Sequence, residues 1–194
     1  MSVTVNRSLC RFAASTSRGP FTGASMSVSP ETSRPFHSTR WEPRIYPGSL
    51  SQASRLRRDI RRDLAGFPDD TVHTLQLCCS ELFANAVAYT ASGEPGGEVV
   101  RCLNLLRPDL LRLEVTDGGW TDRRPAVPDH RTPEDWAEAE GQRGLLLLTA
   151  CATAWGYFQV LPHSTLNLGL RVWADFCLDP DRVPSGLGSY VFTS

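Results

Sequence analysis

Apolar residues change their period twice along this chain, and the order of those changes leaves few architectures open. Leu50, Ala53, Leu56, Ile60 and Leu64 recur at helical spacing, with Ser49 or Ser51 as N-cap and Gly66-Phe67-Pro68 as the stop. Pro68-Asp69-Asp70 open a second helix, whose apolar face is Val72, Leu75, Cys79, Leu82, Phe83 and Ala86 and which "SGEPGG" ends. The period then shortens to two. "EVVRCLNLL" and "LLRLEVTD" read as strands of a hairpin joined by "RPD". Residues 118–140 show little periodicity, and a loop of that length inside a compact domain is functional or disordered. "GLLLLTACATAW" is a third helix opening at Gly144, and "GYFQVL" and "LGLRVWADFCL" close the chain as strands around "PHST". The order helix, helix, strand, strand, loop, helix, strand, strand predicts an α/β (α+β) two-layer sandwich. Its sheet would have about four strands, with helices on one face and the other face partly open.

Composition removes several functions. All 20 basic residues are arginine, so no mechanism can rest on a P-loop lysine, a Schiff-base lysine or a lysine general base. A formal charge of −1 asks for neither nucleic acid nor an anionic membrane. No apolar run reaches the ~18 residues of a membrane span. Cys10, Cys78, Cys79, Cys102, Cys151 and Cys177 form no CxxC, and no His lies at ligand spacing from a Cys pair. Buried, reduced thiols in a cytoplasmic protein are the expectation. Residues 1–42, rich in Ser, Thr, Pro, Gly and Arg, read as a disordered tail or an over-long start with Met26 as initiator; their composition also has a transit-peptide character. Arg55, Arg57, Arg58, Arg61 and Arg62 fall mostly on the outer face of the first helix, as a solvated surface or a partner-binding one.

Three places carry candidate chemistry. Glu81 and Asn85 stand four apart in the second helix, one above the other, with Leu77 and Tyr89 on the same stripe. An Asn oxygen suits Mg2+, and a Glu beside it can accept a proton from an attacking hydroxyl or water; the alternative is a plain solvent-facing polar pair. Strand alternation puts Asp117 on the core side with Leu111, Leu113 and Val115, just before Gly118-Gly119. It is either a turn-initiating Asp or a buried acceptor for a ligand donor. Gly141 and Gly144 bracket the start of an apolar helix, whose free N–H groups make a phosphate cradle to which Arg143 can add charge; glycines before a helix also make an ordinary loop.

Taken in order, these segments resemble the GHKL (Bergerat-fold) ATPases, in the branch of anti-sigma factors and serine-protein kinases. "ELFANAVAYT" is similar to the family's asparagine box, "LEVTDGG" to its aspartate box, "EGQRGLLLL" to its glycine box and "GLRVWADF" to its closing strand. The resemblance spans about Ile45 to Leu178. It implies a Bergerat-type mixed sheet with an ATP lid, a histidine-kinase-like ATPase domain over 43–180, and tails at 1–42 and 181–194. Asn85 would hold Mg2+ against the ATP phosphates, and Glu81 would be the general base. Asp117 would accept from the adenine amino group, with Gly119 near the base. Arg143, Gly144 and Leu145 would meet the phosphates, and Tyr89 would line the cleft. The implied activity is phosphorylation of a serine on a small antagonist protein, or sequestration of a sigma factor as a non-catalytic module, with a homodimer as a possible assembly. The chain departs from the family pattern at Asp117-Gly118-Gly119-Trp120, at Gln142 where many relatives have Gly, and at Leu170 in place of a Lys; these bear on phosphotransfer more than on nucleotide binding.

Overall fold

The computed structural model describes residues 2–5, 39–118, 143–160, 169–185 and 187. Seven strands form one sheet among them: β1 (Ser2–Val5), β2 (Thr39–Arg40), β3 (Arg44–Pro47), β4 (Glu98–Arg107), β5 (Leu110–Asp117), β6 (Ala154–Gln159) and β7 (Leu170–Cys177). They run β1-β6-β7-β5-β4-β2, with β3 pairing β4 beside β2, and every pairing is antiparallel. The helices are α1 (Ala53–Asp63), α2 (Asp69–Tyr89) and α3 (Arg143–Cys151). None of the described helices is long and apolar enough to cross a membrane.

The two-layer expectation holds, with two differences. The expected mixed sheet is antiparallel throughout, and it has three strands more than the four that alternation revealed. β1 and β2 lie within residues 1–42, and β3 is a four-residue segment ending in Pro47. None is long enough to display a period. Residues 6–38, most of the expected tail, lie outside the described residues.

The register confirms which strand face meets the helices. Leu103 lies opposite Leu113, which in turn faces Ala174, and Leu105 lies opposite Leu111, which faces Phe176. All six are buried. α2 lies over this face, between α1 and α3. Because it is covered on several sides, it buries Val72, Leu75, Cys78, Cys79, Leu82, Phe83 and Ala86 rather than one narrow stripe. Each large apolar side chain buried this way is worth about 1.5–3 kcal/mol. The chain reverses from α1 to α2 through Gly66, whose φ of +88° needs a residue without a β-carbon.

A buried ion cluster joins α1 to the sheet. Asp63 receives Arg44 from β3 and the fully buried Arg101 from β4. Burial alone pushes the Asp63 carboxyl up, but hydrogen bonds from Arg44 and Arg101 outweigh it and hold the acid below its ordinary range. The Tyr46 hydroxyl donates to Asp59 at 3.1 Å, and burial raises this phenol to about 12.

Candidate functional site

The site grows from the middle of α2. Glu81 and Asn85 are both half-buried, at the rim of the core, while Leu77 and Tyr89 at the ends of the stripe are exposed. The start of α3 comes down on this pair. A β-carbon placed on Gly144 would stand 3.0 Å from Glu81 Cβ, 3.1 Å from Glu81 Oε2 and 3.1 Å from Asn85 Nδ2. The backbone of the glycine segment and the two polar side chains of the asparagine segment therefore share one small volume, and a side chain at 144 would occupy it. Leu145 follows, buried, and anchors the first turn of α3 in the core.

Two turns further along α3, Cys151 lies against Cys78 of α2. Burial first, and then the neighbouring Cys151, raise the Cys78 thiol to about 12, and burial raises Cys79 to about 12 as well. These thiols are protonated packing groups, as expected of apolar runs.

Asp117 belongs to the neighbouring strand. It ends β5 on the helix-facing side and is only 7% exposed. Its Oδ1 accepts from Leu170 N–H at 2.9 Å, and its main-chain oxygen accepts from Gly169 N–H at 3.0 Å, so β7 fixes both. The next amide, Gly118 N–H, donates to Ser92 Oγ at 2.8 Å. α2 packs on β5, so the asparagine helix and the aspartate strand are neighbours.

The structure thus brings Glu81, Asn85, Gly144 and Leu145 together, places Asp117 at the end of the strand that α2 covers, and sets Tyr89 at the exposed end of the stripe. Arg143 opens α3. Gly119, Gly141, Gln142 and nearly all of the expected lid lie outside the described residues. Sequence reasoning missed Ser92, which sits in the breaker segment and has no period to flag it.

This donor set fits a magnesium-nucleotide. It offers a carboxamide oxygen and a carboxylate as hard donors and an N-terminal helix turn for phosphate, with Gly144 letting that turn approach the pair closely. Among the described residues no three His, Cys, Asp or Glu side chains gather into a metal site. A cation here would draw its remaining ligands from phosphate and water, as Mg2+ commonly does.

The family model of the histidine kinase-like ATPase domain matches residues 46–159, more than half of the chain. The chain belongs to that family, whose domains bind ATP, usually with Mg2+. No curated protein matches it.

Proposed function

We propose that this protein is an ATP- and Mg2+-binding regulator that phosphorylates a serine on a small antagonist protein. The observation that carries this reading is the seating of Gly144 on Glu81 and Asn85. Bound Mg2+-ATP would supply the phosphoryl group and the cation that neutralises its charge. Asn85 would hold the cation through its amide oxygen, and the first N–H groups of α3, at Gly144 and Leu145, would face the phosphates with Arg143 beside them. Asp117 would accept from the adenine amino group, with Gly119 under the base and Tyr89 at the rim. Glu81 would take the proton of the attacking hydroxyl. Residues 43–180 form the nucleotide-binding unit in this proposal, and a protein antagonist or sigma factor is the partner.

One observation favours a second reading, a non-catalytic module that uses ATP to shape a partner surface. Glu81 Oε2 would stand 3.1 Å from a β-carbon on Gly144, so the start of α3 lies beside the carboxylate that the kinase reading needs open to a substrate hydroxyl. Incubation with labelled ATP and a candidate antagonist separates the two. The kinase reading expects serine phosphorylation in the wild type and a loss of about 10²–10⁴-fold in Glu81→Ala. Transfer undiminished in Glu81→Ala refutes the base assignment, and ATP recovered intact with bound partner favours the module.

A further inference from the structure

We propose that Ser92 is the positioning residue for the nucleotide base, acting through the Asp117-Gly118 turn; this rests on the ATP-binding reading above. Ser92 is fully buried, in the single 3-10 turn (Ala91–Gly93) that follows α2. Thr90 sets that turn: its hydroxyl donates to Ala86 O at 2.6 Å and accepts from Ser92 N–H at 3.1 Å. The Ser92 hydroxyl then does two things. It donates to Glu98 O at 2.7 Å and accepts from Gly118 N–H at 2.8 Å. Both roles are forced, since a carbonyl can only accept and an amide can only donate.

The register explains why this placement matters. Val99 faces Asp117 and Val100 faces Thr116, so Glu98 and Gly118 are the next facing pair of the β4–β5 ladder. The Ser92 hydroxyl bridges the groups that would make that rung, and the strands are held one hydroxyl apart where Asp117 leaves the sheet. Ser92 pins the turn from the α2 side; Gly169 and Leu170 pin it from the β7 side. The loop carrying Ser92 is clamped in turn by glycines. A β-carbon on Gly48 would stand 1.5 Å from Ser92 O, and one on Gly97 2.2 Å from it, so no side chain fits at either position. A buried hydroxyl thus links the end of the asparagine helix to the residue expected to read the base.

The test is a comparison of ATP and GTP affinities in the full chain by calorimetry. Ser92→Ala should weaken ATP by about tenfold, the scale of one lost hydrogen bond, while GTP, which lacks the adenine amino group, changes by less than about twofold. Ser92→Thr, which keeps the hydroxyl, should recover part of the selectivity. In an Asp117→Asn background Ser92→Ala should cost less than about twofold more, because the two act on one contact. Equal weakening of both nucleotides, or full additivity with Asp117→Asn, overturns the proposal by reducing Ser92 to a purely structural residue. Should Ser92→Ala fail to fold, the wild type decides. The Gly118 amide should be protected from hydrogen exchange without nucleotide and its resonance should shift with ATP, whereas an unprotected or unresponsive amide overturns the proposal. A wild type that binds neither nucleotide refutes the ATP-binding reading instead.

Discussion

At Gly144 the approach of α3 to α2 leaves little room for a methyl group, since its nearest neighbours would be Glu81 and Asn85 at 3.0–3.1 Å. Gly144→Ala must push both side chains by a few tenths of an ångström, and overpacking of this kind costs about 1–3 kcal/mol. We expect that cost to appear as weaker binding of Mg2+-ATP, measured by calorimetry; an affinity equal to wild type would mean that the pair does not face the ligand. The thiols give a separate check at the same scale. With Cys78 and Cys79 held near 12 against about 9 in an unfolded chain, native protein at pH 8 should leave both unalkylated by iodoacetamide while the exposed Cys177 reacts. Rapid modification of Cys78 would contradict its packing. Glu81, Asn85 and Asp117 were legible in the sequence because helix and strand periods assign each residue a face. Ser92 and Arg101 were not, since their partners stand 26 and 38 residues away and depend on the register.

Among the elements, α1 depends on a joint that hydrophobic periodicity does not report. Leu56 and Ile60 pack inward as their spacing predicts, but Asp59 and Asp63 also point inward, and Asp63 is the acid that receives Arg101. Among the described residues two Arg101 nitrogens find no hydrogen-bond partner and Asp63 is the acid paired with the guanidinium, so Asp63 is its compensating charge. Asp63→Asn should therefore destabilise the fold by about 3–5 kcal/mol, read from the urea midpoint, because it leaves a buried guanidinium unpaired. A midpoint within about 0.5 kcal/mol of wild type would contradict this. The sign with pH follows from a folded-state pKa below the ordinary aspartate value of 3.8: the stabilisation is present above that value and is lost as pH falls through the depressed folded one. Tyr46, Cys78 and Cys79 act in the opposite direction. Their values are raised, so their contribution is complete below about pH 9 and fades as pH climbs toward about 12. The hairpin β4–β5 and the described α-helices were readable from period and breakers, except that Ala154 and Trp155, expected as the end of the third helix, begin β6. β1, β2 and β3 were not, because strands of two to four residues owe their existence to the edges they pair with.

For the molecule as a whole, the central claim is spatial: the asparagine helix, the end of β5 and the start of α3 enclose one nucleotide with its metal. Gly144 at the start of α3 lies against Glu81 and Asn85, and α2 packs on β5, the strand that Asp117 ends. Calorimetric titration of ATP, with and without Mg2+, into the full chain and into Asn85→Ala and Asp117→Asn tests this most directly. The account predicts one equivalent bound by the wild type, loss of the Mg2+ dependence in Asn85→Ala, and an affinity lower by about 1–3 kcal/mol in Asp117→Asn. Binding unaffected by both substitutions, or no binding by the wild type, would contradict it.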